Sequence, residues 1–237
     1  PMRRLLQGDV GSGKTLVGAL SALHAHENGW QTAFMCPTEI LAEQHQLSLS
    51  QWFTSLGLNV ELLTGSTKAS DRKEIISKLR NGEINILVGT HALFQKDVIF
   101  NSLGLTVIDE QHRFGVHQRF SMLEKGGTEN QSPHQLIMTA TPIPRTLAMT
   151  VYGSLETSII DEMPPGRKPV DTSARPNSLR EKVIKRIEEV CLSGQRVYWV
   201  CTLIEESEEL EAQSAEELYK EISEALPKID VGLVHGK

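Results

Sequence analysis

Apolar residues in this chain fall into short runs separated by longer stretches in which they recur every three or four positions. The runs lie at residues 4–7, 32–37, 59–65, 84–90, 103–110 and 134–141. Each is short and bounded by turn-forming or polar residues, so each predicts a β-strand. Between them, the spacing predicts helices over 16–26, 39–56 and 68–81, with Thr38 as an N-cap and Gly82 as a stop. Strands alternating with helices predict an α/β fold, a parallel sheet with helices on both faces. In such sheets ligands bind beyond the carboxyl ends of the strands.

The alternation breaks at "EMPPGRKPV", residues 162–170. Its three prolines and one glycine can continue neither a helix nor a central strand. The expected organisation is a first domain over 1–161, a linker over 162–172 and an incomplete second domain over 173–237. After the linker the pattern predicts a helix over 178–192, a strand over 195–203, an acidic helix to about residue 226 and a strand over 231–235. Two or three strands are too few for a complete doubly wound domain.

Composition narrows the class. The 237 residues have ordinary apolar and charged content. No apolar run reaches the roughly 20 residues of a membrane helix, and the start carries no signal-peptide pattern. The three cysteines (Cys36, Cys191 and Cys201) are scattered, which points to a reducing cytoplasm and not to disulfides or zinc. Taken alone, the net charge of −6 argues against a nucleic-acid partner. However, residues 205–224 hold nine glutamates against one lysine, so the rest of the chain is slightly basic and can carry local basic patches.

The sharpest chemistry is "GDVGSGKT", Gly8, Asp9, Val10, Gly11, Ser12, Gly13, Lys14 and Thr15. This is the G-x-x-x-x-G-K-[ST] spacing, placed between a strand and a helix as a phosphate-binding loop requires. Glycines let successive N–H groups turn inward to make an anion nest, and the helix N-terminus adds its positive dipole end. Lys14 would reach the β- and γ-phosphates of a nucleoside triphosphate, and Thr15 would hold Mg²⁺. The run "VIDEQH" then places Asp109, Glu110 and His112 past a buried strand. Asp109 fits a carboxylate that holds Mg²⁺ through water, and Glu110 a general base for the attacking water. "MTATPIPRT" follows the next strand, and its Thr139 and Thr141, flanking Ala140, could hydrogen-bond His112 and couple the nucleotide site to another surface.

With "PTEILAEQH", "LLTGS", "VGTHALFQ", "DEQHRFGVHQR" and "TATPIPRTLAM" in this order, the chain resembles a superfamily 2 helicase, and within that superfamily the bacterial RecG-type DNA helicases. The resemblance extends through "IDEMPPGRKPV", "YWVCTLIEESE" and "VGLVHGK". It implies a RecA-like first lobe and the start of a second, ATP and Mg²⁺ as cofactors, and branched duplex DNA (replication forks and Holliday junctions) as partner. It implies a monomer in the intact protein. Lys14, Thr15, Asp109 and Glu110 would be the ATPase residues. Pro37, Thr38, Thr64, Gly65, Gly89, Thr90 and His91 match motifs that touch the DNA backbone, where small residues and hydroxyls at strand ends bring N–H groups to phosphates. Arg145 could reach DNA or the other lobe, and Arg113 and Arg119 flank a segment that the family places between the lobes.

The related coupling-factor and primosomal translocases share the "TATPIPRT" region, and a nucleotide switch that does not hydrolyse is a further alternative, against which Glu110 speaks. The family's branch-recognising wedge, adenine-reading segment and arginine-rich motif have no counterpart within these 237 residues. These features lead to the expectation of an internal fragment that binds nucleotide weakly and unwinds nothing alone.

Overall fold

The structure, a computed structural model, describes residues 1–110, 132–141, 155–164, 166–200 and 208–234. The chain divides into two compact units, Pro1–Arg167 and Lys168–Lys237. Elements are numbered below among the described residues.

The first unit is built on seven strands: β1 (Arg3–Gly8), β2 (Gln31–Met35), β3 (Val60–Leu63), β4 (Ile86–Gly89), β5 (Leu103–Asp109), β6 (His134–Thr139) and β7 (Glu156–Ile160). They form one sheet in the order β3-β4-β2-β5-β6-β1-β7, and every pair is parallel. Three helices connect the early strands: α1 (Lys14–Glu27), α2 (Glu39–Phe53) and α3 (Ala69–Arg80). The six strands read from the hydrophobic pattern are all present.

The period-2 alternation of side chains sorts the core into two layers. On one face Phe34, Cys36, Ile86, Val88, Val107 and Met138 pack against Ala19 and Ala22 of α1 and Ala42, Leu49 and Phe53 of α2. On the other, Ala33, Met35, Leu63, Leu87 and Ile108 pack against Ile76 and Leu79 of α3 and Leu93. Strands buried on both faces must be apolar almost throughout, and β2 and β4 are buried at every position. Gln31 and Thr32 are the polar exceptions in β2, and Gln31 is accounted for by its bonds. Its side-chain amide donates to Leu79 O and Ile84 O, and its Oε1 accepts from Ser102 N, so the buried polar group is fully used.

β7 is absent from the sequence reading. Its residues, "ETSII", are mostly half-exposed, because this is an edge strand paired only to β1. It carries too little apolar signal to be seen from sequence. Its register is pinned from β1, where Arg4 donates to Ser158 Oγ at 2.7 Å and pairs with Glu156.

The second unit contains α4 (Arg180–Leu192) and α5 (Glu208–Ala225). Arg180 pairs with Glu221 through two bonds and stacks 5.0 Å from the Trp199 ring centroid. Ile222 and Leu226 are its buried apolar residues among those described. The strands expected over 195–203 and 231–235 are not formed in the described parts, 195–200 and 231–234. A strand is stable only with neighbours to accept its hydrogen bonds, and no other strand is described in this unit. No helix among the described residues is long and apolar enough to cross a membrane.

Candidate nucleotide and nucleic-acid site

Because the sheet is wholly parallel, all its carboxyl ends share one edge. The sheet order then sorts the candidate residues into two groups. β5, β6 and β1 are neighbours, and so are β3, β4 and β2.

The loop after β1 runs over residues 9–13. Gly11 and Gly13 have φ of 80° and 94°, the left-handed region in which glycine has no Cβ penalty. Gly8 is not among the positive-φ glycines, and its reason is space. A Cβ there would stand 2.6 Å from Ser12 Oγ and 3.1 Å from Ile160 Cβ. Gly13 is the N-cap of α1, with no side-chain cap and no acidic residue in the first turn. The positive helix end is therefore left to an external anion. Lys14 Nζ donates to Gly8 O and Asp9 O, both at 2.8 Å. An ammonium has three donors, so these contacts aim it across the loop and leave capacity for a phosphate. Ser12 Oγ is buried without a partner among the described residues, which fits a loop that takes a polar ligand. Thr15 occupies the first turn of α1, half-buried.

Asp109 ends β5 and pairs in register with Met138 of β6, while Gln7 of β1 pairs with Thr139. The acidic motif and the glycine loop thus lie two strand spacings apart, about 10 Å. Asp109 Oδ2 is 2.9 Å from His45 Nε2 of α2, and both side chains are largely buried. An ionised carboxylate only accepts, so the imidazole donates. Phe34 packs on the His45 ring, with centroids 5.0 Å apart. Burial pushes the Cys36 thiol pKa well up, and the Asp109 carboxylate adds to that, so this cysteine stays a neutral core residue.

Glu110 has φ +48°, a conformation uncommon for a residue with a Cβ and costing about 1–3 kcal/mol. Three bonds hold it there. Its N–H donates to Met138 O at 2.9 Å, its Oε1 accepts from Ala140 N at 3.1 Å, and its Oε2 accepts from Thr139 Oγ1 at 3.3 Å. Thr141 N donates to Thr139 Oγ1 at 3.1 Å. Thr139 and Ala140 are therefore attached directly to the acidic residue at the end of β5. The expected partner His112 lies outside the described residues, as do Arg113, Arg119 and Arg145.

The other half of the edge gathers the ends of β2, β3 and β4. Pro37 is half-buried and Thr38 exposed. Thr38 caps α2, its Oγ1 accepting from Leu41 N at 3.4 Å. Thr64 is buried, and its N–H donates to Thr67 Oγ1 at 3.0 Å. Gly65 is exposed beside Glu39 and His91. Gly89 is paired on both sides, to Met35 and Leu63, and a Cβ on it would stand 2.1 Å from Leu63 O. Thr90 is buried with its hydroxyl unpartnered among the described residues, and His91 is exposed. Glu39 ties two of these ends together: its carboxylate accepts from Ser66 N at 3.1 Å and Ser66 Oγ at 2.8 Å. The Ser66 hydroxyl holds the Glu39 carboxyl below its ordinary pKa.

A DEAD/DEAH box helicase family model matches residues 3–150. The chain belongs to the DEAD/DEAH box helicases. It is 57% identical over its whole length to the ATP-dependent DNA helicases RecG of Pasteurella multocida and Escherichia coli K12, and 52% identical to that of Synechocystis. It spans 34%, 34% and 28% of their lengths. Among solved structures it is similar to RecG bound to a three-way DNA junction, with 44% identity and a TM-score of 0.75 over 95% of this chain and 28% of that one. The helicase MrfA bound to DNA shares the fold at 20% identity and a TM-score of 0.55, over 68% of this chain and 25% of that one. The RecA-like helicase fold is thereby established for this chain.

Two residues with clear positions in this helicase site were not singled out from sequence. His45 lies on the stripe of α2 that carries buried Ala42, Leu49 and Phe53, and a histidine among core positions was the available signal. Arg167 lies in the Pro/Gly-rich stretch and reaches back to the loop, with Nη1 2.9 Å from both Asp9 Oδ2 and Val10 O. Nothing in its local sequence points there.

Proposed function

We propose that this chain is the nucleotide-hydrolysing core of a RecG-type DNA helicase, which uses ATP to move along and remodel branched DNA in recombination and repair. The carrying observation is the clustering of the loop, Asp109, Glu110 and Thr139 at the ends of three adjacent strands, in a chain 57% identical throughout to RecG helicases. Gly8 to Thr15 cradle the triphosphate through backbone N–H groups and Lys14. Thr15, and Asp109 through water, would hold Mg²⁺, an ion that keeps most of its waters. When bound, Mg²⁺ neutralises charge on the phosphates. Glu110 accepts the proton of the attacking water, and Thr139, Ala140 and Thr141, with His112, relay its position to the DNA side. Pro37, Thr38, Gly65, His91 and Arg145 contact the DNA backbone, while Thr64, Gly89 and Thr90, which are buried, shape the strand ends that carry those contacts.

The domain reading is a first lobe over 1–161, a linker over 162–172 and part of a second lobe from 173. The whole protein works as a cytoplasmic monomer. The chain spans 34% of the length of its RecG relatives, and by itself it is expected to turn ATP over slowly. The test is ATP hydrolysis by the complete gene product with and without forked DNA. Stimulation by the fork, with little turnover from residues 1–237 alone, is expected. A rate indifferent to DNA would overturn the helicase reading.

A further inference from the structure

The glycine loop contains an electrostatic liability. Asp9 follows Gly8 directly and places a carboxylate on the loop meant for a polyanion. Its Oδ1 accepts from Val10 N at 2.7 Å, so the carboxylate is folded into the loop itself. A negative charge at that position repels phosphate unless something offsets it.

The structure supplies an offset from a distant stretch of sequence. β7 runs beside β1 with Ile160 opposite Gly8, so the chain leaving β7 emerges next to the loop. Pro164 then lies against Gly11, within 3.5 Å of where a Cβ would stand. A turn closes from Arg167 N to Pro164 O at 3.1 Å, with Gly166 at φ 81°. That turn delivers Arg167 Nη1 to Asp9 Oδ2 and to Val10 O, each at 2.9 Å. Arg167 is also the last residue of the first compact unit. One guanidinium nitrogen therefore neutralises the loop's carboxylate and grips its backbone.

As a stability device this pair would be weak. Arg167 and Asp9 are 38% and 41% exposed, and exposed pairs contribute almost nothing measurable to folding. Its position beside the phosphate nest gives it a different use. We propose that Arg167 is a positioning residue for nucleotide binding: it cancels the charge of Asp9 and holds the loop at Val10 in the shape that receives phosphate. This rests on reading the loop as the nucleotide cradle.

The test is a double-mutant cycle on the complete gene product, with ATPγS and Mg²⁺ as probe and affinity read by calorimetry. Arg167→Ala should weaken binding roughly tenfold at low salt, because an uncompensated charge then faces the phosphates, and by less at high salt, where screening shortens its reach. Arg167→Lys should recover part of the loss by restoring the charge. In an Asp9→Asn background, removing Arg167 should cost markedly less than in the wild type, since only its bond to Val10 O remains to be lost. Lys14→Ala serves as the reference. If it leaves affinity unchanged, the cradle reading falls and this inference with it. If Lys14→Ala abolishes binding while Arg167→Ala binds like wild type, the inference alone is overturned. An equal loss from Arg167→Ala with and without Asp9 would also overturn it.

Discussion

The two halves of the sheet's carboxyl edge are built on opposite plans. Over β1, β5 and β6 the functional atoms belong to charged side chains, and other side chains aim them: Asp109 against His45, Glu110 against Thr139 and Ala140, and Asp9 against Arg167. Over β2, β3 and β4 they belong to glycines, hydroxyls and backbone, and the sheet itself sets their positions, as at Gly89 between Met35 and Leu63. The first half is set by side-chain pairs, the second by strand pairing and close backbone contact. On the function proposed above, chemistry needs charge that can change partners, whereas a track for a sugar-phosphate backbone needs a fixed surface, and the two halves suit those two tasks.

The strongest challenge to that contrast is Glu110→Gln. Glutamine keeps the shape and an acceptor for Ala140 N, yet cannot take a proton from water. Turnover should fall about 10²–10⁴-fold with nucleotide affinity and melting temperature retained. Steady-state hydrolysis and calorimetry on the complete gene product provide both readings, and near-normal turnover would place the base elsewhere.

A pair of glycine substitutions compares the halves directly. Gly89→Ala drives a Cβ against a backbone oxygen, Leu63 O, which cannot move without opening the sheet, and overpacking of this kind costs about 1–3 kcal/mol. In Gly8→Ala the nearest atom is Ser12 Oγ, the end of a side chain that can rotate. Urea unfolding of the two variants should show the larger loss of stability at Gly89. Equal losses would erase the distinction drawn between the halves.

The smallest effect concerns pH. The Glu39 carboxyl lies below its ordinary value of 4.5 because the Ser66 hydroxyl donates to it, with the Ser66 and Gly65 backbone adding to this. A depressed folded pKa stabilises the fold above the unfolded value, and that contribution is lost as pH falls through the folded one. The stability difference between wild type and Glu39→Gln should therefore be constant from pH 8 to 6 and shrink below about pH 4.5. Thermal melts across that range would detect it, and a difference that persisted unchanged into acid would remove Glu39 as the tie between β2 and β3.

Local order along the chain determined most of this protein. Short apolar runs alternating with helical ones specify a parallel α/β sheet, since strands buried on both faces must be apolar throughout. The glycine loop, Asp109 and Glu110 were readable because their chemistry depends on short-range spacing at strand ends. Three things were decided only in tertiary structure. β7 forms because β1 offers a free edge, not because "ETSII" carries a strong pattern. His45 meets Asp109 and Arg167 meets Asp9 across 64 and 158 positions, and no local rule encodes such partners. The strands expected beyond residue 195 are unformed where the structure describes them, because a strand's stability resides in its neighbours and not in its own sequence.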